Sequence, residues 1–130
     1  MSYEEFRVQF ERFFLAGIES GERVHFIAES EGLVIGNILC QVVPLVPRPC
    51  RVHDSCAVIT DNYVKPPERS RGIGSALLVR ALIWARDVDL ELVIVWPSEQ
   101  ARAFYGRHGF SERTEIMELV LRPAYVEPAS

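Results

Sequence analysis

The chain has 130 residues, 48% of them apolar, with 14 Lys+Arg against 18 Asp+Glu and a formal net charge of −4. That length predicts one domain with a sizeable core, and the mixture excludes wholesale disorder. The acidic balance excludes binding to nucleic acid through a nonspecific positive field. Ser2-Tyr3-Glu4-Glu5 opens the chain as a capping box, and Phe6, Phe10, Phe13 and Phe14 follow on one helical face. This stripe is expected to pack against a sheet, with Ser20-Gly21 ending the helix. Residues 24–29 and 33–43 read as a hairpin turning at Glu31-Gly32. Pro44, Pro47 and Pro49 make 44–50 a loop.

A third strand is expected over Ser55–Val64, ended by Pro66-Pro67, and a helix over Gly72–Asp87. The polar residues of that helix gather on one side of the wheel, so deep packing is expected of it. Leu92–Trp96 is a continuous apolar run closed by Pro97, which predicts a central strand buried on both faces. Ser98 is the expected N-cap of a last helix stopping near Gly109, and the residues from Phe110 to Leu121 alternate enough for one or two final strands. The order of elements is that of one α/β domain. No apolar run reaches the roughly 18 residues of a bilayer span, and Arg80 interrupts the longest, so no membrane partner is expected. The opening residues lack a basic and apolar leader, so a cytoplasmic location is expected, with Cys40, Cys50 and Cys56 as reduced thiols. Their spacing suits no structural metal site.

The segment with most chemistry in it is Tyr63-Val64-Lys65-Pro66-Pro67-Glu68-Arg69-Ser70-Arg71-Gly72-Ile73-Gly74-Ser75. A strand enters a short loop, two glycines open a helix, and two arginines stand just before them. Amides without intrahelical partners and the helix dipole would face outward there. Glycines allow close approach of a bulky anion, which makes the segment a phosphate or pyrophosphate cradle. A dinucleotide fingerprint is excluded by Leu77, and no P-loop spacing exists. Arg69, Arg71 and Arg107 could also serve an interaction domain that holds an anionic partner.

About thirty residues downstream stands a second segment, from Val95-Trp96-Pro97-Ser98 to Ala101-Arg102-Ala103-Phe104-Tyr105-Gly106-Arg107-His108-Gly109-Phe110. Together the two resemble the GNAT superfamily of acyl-CoA-dependent N-acetyltransferases. Arg69-Ser70-Arg71-Gly72-Ile73-Gly74 is similar to the family's Arg/Gln-x-x-Gly-x-Gly/Ala loop, and Ala101 to Phe110 is similar to its Ala-x-x-Phe/Leu-Tyr-x-x-x-Gly-Phe pattern. The resemblance covers roughly residues 24–121. It implies a single domain over residues 1–130, built on a mixed, mostly antiparallel sheet with splayed central strands flanked by helices. The initial helix leaves no clear room for the family's first strand. The N-terminal wall of the acceptor site is then reduced or completed by a second subunit, which makes a homodimer one expected assembly.

The resemblance further implies acetyl-CoA as donor and a primary amine as acceptor, with no metal and no acyl-enzyme. Pantetheine would bond the backbone of Asn62, Tyr63 and Val64, and the pyrophosphate would sit on the loop Arg69, Ser70, Arg71, Gly72, Ile73, Gly74 and Ser75. Ser98 stands where the family often has Asn and would offer a polar contact to the cofactor, with Phe104 beside it. Tyr105 matches the tyrosine that assists the departing thiolate. Asp54, Asp61 and Glu99 lie near the splay in sequence, and His25, His53 and His108 are ambiguous, so none is assigned as the base. A noncatalytic acyl-CoA-binding module remains the alternative.

Overall fold

A computed structural model describes residues 2–46, 49, 55–112 and 117–122, and divides the chain into two compact units, Met1–Trp96 and Pro97–Ser130. In the first unit, helix α1 (Tyr3–Ser20) starts on the capping box: the Ser2 side chain accepts from the Glu5 amide, and the Glu5 carboxylate accepts from the Ser2 amide at 2.7 Å. Gly21 ends it in the left-handed region, where a glycine is unstrained. Strands β1 (Arg23–Ser30) and β2 (Leu33–Pro44) form the expected hairpin, and β3 (Ser55–Val64) has the expected bounds. Helix α2 (Ile73–Asp87) and strand β4 (Val93–Val95) complete the unit. The sheet order is β1-β2-β3-β4, antiparallel at the first two junctions and parallel at the third.

The register assigns the two faces. His25, Leu39 and Asp61 lie opposite one another on one face, as do Ile27, Asn37 and Tyr63. Phe14 meets His25 edge-on at 5.1 Å, so α1 covers this face over β1. Phe26, Ile38 and Asn62 point the other way, where Phe26 meets Trp84 and Arg80 of α2. The core of the unit lies on the α2 side. Ile38 and Leu78 are fully buried, and Cys40, Ile59, Leu77, Ala81 and Ala85 join them.

Several expectations are corrected. Only Gly17 of α1 is buried, whereas Phe6, Phe10 and Phe13 are exposed, because α1 packs chiefly on the edge strand and its stripe outruns that support. Likewise α2 buries one face and leaves Val79 and Ile83 exposed, since it has a single sheet to pack on. β4 is only half-buried and pairs with β3 alone, which makes it an edge among the described strands. The described residues of 110–122 form no strand, and residues 113–116 lie outside the description.

The second unit holds a 3-10 turn (Glu99–Ala101) and helix α3 (Arg102–Arg107). Ser98 precedes the turn but makes no side-chain cap; its carbonyl instead accepts from the Ala101 amide at 3.0 Å. His108 is the C-cap of α3, and Gly109 follows with φ 94°.

Candidate active site

Two features define the site in the first unit. The first is a divergence of β3 from β4. Their ladder runs from Ala57↔Val93 to Ile59↔Val95 and stops, whereas β3 continues to Val64. A bulge marks the stopping point: Leu39 pairs with Asp61 and Cys40 with Ile59, which leaves Thr60 as the extra residue. Its hydroxyl donates to the Leu39 carbonyl at 3.2 Å and secures the kink. A bulge bends and overtwists its strand. Pro97, just past β4, has no amide with which to continue the pairing. β3 and β4 therefore stop pairing where the expected splay falls, although β4 is an edge among the described strands and not a central one.

The second feature is the cradle. After Val64 the chain makes a short 3-10 turn (Pro66–Glu68), and the Lys65 amide donates to the Ile35 carbonyl at 2.8 Å. Arg69 Nε donates to the Val64 carbonyl at 2.9 Å, and the guanidinium lies 5.4 Å from the centre of the Tyr63 ring. Arg69 thus closes the loop on itself. Ser70 adopts φ 67° and Gly72 φ 79°, two left-handed residues that turn the chain sharply into α2. The Ala76 amide makes its helix bond to the Gly72 carbonyl, so the amides of the first turn precede the intrahelical ladder. A side chain at Gly72 would meet no protein atom within 4 Å. The space directly over this backbone position is unfilled by protein. Arg71 is exposed and paired with Glu68 at 3.1 Å.

Asn62, Tyr63 and Val64 close β3 directly beyond the bulge, and residues 69–75 follow as one continuous turn. Asp61 stands at the start of that stretch on the α1 side. Burial pushes its carboxyl above the ordinary aspartate value, against the lowering influences of His25 and the Asn62 amide. Sequence reasoning named Asp61 with Asp54 and Glu99 as carboxylates that could orient an amine or take its proton, and chose none, because nothing in Ile-Thr-Asp-Asn announces a bulge. Asp54 and His53 lie outside the described residues. Glu99 is exposed and paired with Arg102 at 3.1 Å.

In the second unit Tyr105 is buried, with ring centres 5.1 Å from Phe104 and 5.4 Å from Phe110. Phe104 also meets His108 at 5.1 Å. Cys40 and Cys56 are buried, and burial raises the Cys40 thiol to about 11, which keeps it protonated and unsuited to attack. Cys50 lies outside the described residues. Among the described residues no three or more His, Cys, Asp or Glu side chains gather in a way that could hold a metal ion, and no helix is long and apolar enough to cross a membrane.

A parallel strand pair that parts halfway, leading into a glycine-opened helix, is the arrangement of an acyl-CoA-dependent transferase. Residues 2–110 match the family model described as Acetyltransferase (GNAT) family. The chain belongs to that family and is an acyl-CoA-dependent acetyltransferase. It is similar to a predicted acetyltransferase from Clostridium acetobutylicum solved with acetyl-CoA, at 22% identity and TM-score 0.81, covering 93% of this chain and 79% of that one. It is also similar to a GCN5-related N-acetyltransferase from Ralstonia eutropha JMP134, at 25% identity and TM-score 0.76, covering 90% and 77%. A third similarity is to glucosamine-6-phosphate N-acetyltransferase from Arabidopsis thaliana, at 20% identity and TM-score 0.69, covering 93% and 80%. No curated protein sequence matches.

Proposed function

We propose that residues 1–130 constitute one N-acetyltransferase domain that moves the acetyl group of acetyl-CoA directly onto a primary amine. The observation that carries this reading is the open backbone at Gly72, at the mouth of a strand pair that parts after Ile59↔Val95. On this reading the pantetheine arm lies along Asn62, Tyr63 and Val64 as an added strand, and the pyrophosphate rests on the amides from Arg71 to Ser75. An amide near Asn62 faces the thioester oxygen and stabilises the oxyanion of the tetrahedral intermediate. The Clostridium acetobutylicum relative, solved with acetyl-CoA, supports this choice of donor. Tyr105 assists the departing thiolate, and Ser98 and Phe104 complete the contacts to the cofactor. The acyl-CoA-binding module is the lesser reading, because membership of an acetyltransferase family favours transfer over sensing.

A thermal-shift titration tests the donor site. A ligand at 100 times its Kd stabilises the folded form by about 2.7 kcal/mol. Gly72→Val should lose the shift, and so should Gly72→Asn, which fills the same space while tolerating positive φ. An undiminished shift in Gly72→Asn would place the pyrophosphate elsewhere. Release of free thiol from acetyl-CoA only when an amine is present would separate the enzyme from the module.

A further inference from the structure

The aromatic stripe of α1 changes character along its length. Gly17 is buried and Phe14 half-buried against His25, but Phe10 is 48% exposed, Phe6 53% and Tyr3 77%. The rings of Phe6, Phe10 and Phe14 follow one another at 6.0 and 6.1 Å, so the stripe is continuous as it passes out of cover. Its direction is fixed by Gly17 standing against Arg23 and Phe14 against His25: α1 runs antiparallel to β1, and its uncovered half extends toward Ile27. Ile27 is itself exposed and shares a row with Tyr63, next to the row that ends in Asp61. This is the α1 side of β3 where β3 has parted from β4. Ile27 and Tyr63 are therefore exposed members of the face that carries Asp61, with the α1 stripe over β1 and Asp61 two strands across on β3, and Asp61 is the acidic member of the two rows.

We propose that the acceptor is a primary amine with an aromatic or bulky apolar body, its ammonium held at Asp61 and its body lying on the uncovered Phe6–Phe10 half of α1. The inference rests on the acetyltransferase reading and adds the class of acceptor. Charge complementarity selects this occupant. One carboxylate beside a large apolar surface matches a single cation on an apolar frame. A polyamine or a sugar amine would leave most of its polar groups against phenyl rings, without partners. Asp61 is exposed on β3, so its carboxylate can meet a cation directly. In the reaction the ammonium first gives up one proton, by way of Asp61, to solvent. The nitrogen lone pair then bonds the thioester carbon, and the C–S bond breaks with its electron pair on sulfur. The second proton leaves nitrogen and ends on the thiolate, giving the amide and free CoA.

Thiol release from acetyl-CoA, measured with 2-phenylethylamine, hexylamine, ethylamine, spermidine and glucosamine, tests the class. The expected result is kcat/KM for 2-phenylethylamine at least about 30-fold above that for ethylamine, the ratio that burial of one ring supports. Phe10→Ala, at an exposed position, should keep the Tm and lose most of that ratio. Leu15→Ala, about 140° round the helix at 100° per residue, should keep it. Asp61→Asn should raise the amine KM at least about 10-fold, with the acetyl-CoA thermal shift unchanged. A preference for spermidine or glucosamine, an unchanged ratio in Phe10→Ala, or an unchanged amine KM in Asp61→Asn would each overturn the inference and leave the enzyme reading standing. No thiol release with any amine would overturn both. Light scattering that shows a dimer which Phe10→Ala dissolves, with the amine ratio unchanged, would assign the stripe to a second copy instead.

Discussion

Tyr105 and Cys40 are both buried, and their chemistry separates them. Complete proton transfer from an ordinary tyrosine to a thiolate is uphill by about 1.5 pKa units, so on the proposed reading the Tyr105 hydroxyl would serve best as a hydrogen-bond donor to the charge developing on sulfur. Tyr105→Phe retains the ring that meets Phe104 and Phe110 and removes only that donor. Acetyl-CoA affinity should then be nearly unchanged while kcat falls by about 10²–10⁴. Wild-type turnover would reduce Tyr105 to a packing residue. Cys40 makes a prediction in pH. Its thiol rises from 9.0 to about 11 because the folded interior disfavours the thiolate. A raised folded pKa gives stability that is complete below the unfolded value and is lost as pH climbs through the folded one. Between pH 9 and 11 the loss should amount to about 2 kcal/mol. Urea unfolding at the two pH values should show a smaller difference in Cys40→Ala than in the wild type, because other titrations are common to both. Equal differences would show that burial does not hold the proton on Cys40.

Helix α1 is anchored at one end by a side chain that takes the place of another. Arg23 reaches from β1 across Gly17, with its guanidinium carbon 3.4 Å from the Phe13 ring centre and Nη1 donating to the Phe13 carbonyl at 3.3 Å. A methyl at Gly17 would lie 2.5 Å from Arg23 Cδ and 2.8 Å from Cγ, so the stem of the side chain would have to move. Gly17→Ala should therefore cost about 1–3 kcal/mol by overpacking, despite the better helix propensity of alanine. In an Arg23→Ala background the same change should instead stabilise by up to about 1 kcal/mol. A double-mutant cycle by chemical denaturation reads the coupling, and additivity would dissolve the proposed anchor. This contact was illegible in the sequence, where Gly17 is one glycine inside a helical pattern. What depends on near neighbours was legible: the capping box at Ser2 and Glu5, the turn at Glu31-Gly32, the bounds of β3 and the glycine-opened start of α2. What depends on distant partners was not. Periodicity put the phenylalanines on one face but could not say that only Gly17 and Phe14 find cover. The apolar run at 92–96 looked central because composition does not register how many strands lie alongside. Within the site, the cradle was readable as a motif and Asp61 as one of three nearby carboxylates, whereas its place opposite Leu39 required the register of two strands.

The molecule carries a net charge of −4, yet its donor is a polyanion, so local charge at the cradle has to work against the field of the whole. Arg71 is an exposed cation of that loop, paired with Glu68, and Arg69, exposed too, is turned back onto the Val64 carbonyl. Arg71→Ala should weaken acetyl-CoA binding less than either Gly72 variant. Its deficit should nearly vanish at 1 M salt, where the screening length is about 3 Å. Titration calorimetry at low and high salt checks this, and a deficit indifferent to salt would assign Arg71 a steric role. The sheet offers a further consequence through its inserted residue. Every pair that β2 makes with β3 lies on one side of Thr60 or the other. Excising Thr60 would therefore let both halves keep their partners and would erase only the kink between them. The outcome should be a straighter β3 that goes on pairing beside β4, a sheet that folds and melts much as before but no longer admits acetyl-CoA. A single codon would then separate an inert sandwich of helices and strands from a catalyst, the ability to fold surviving a deletion that the ability to bind does not.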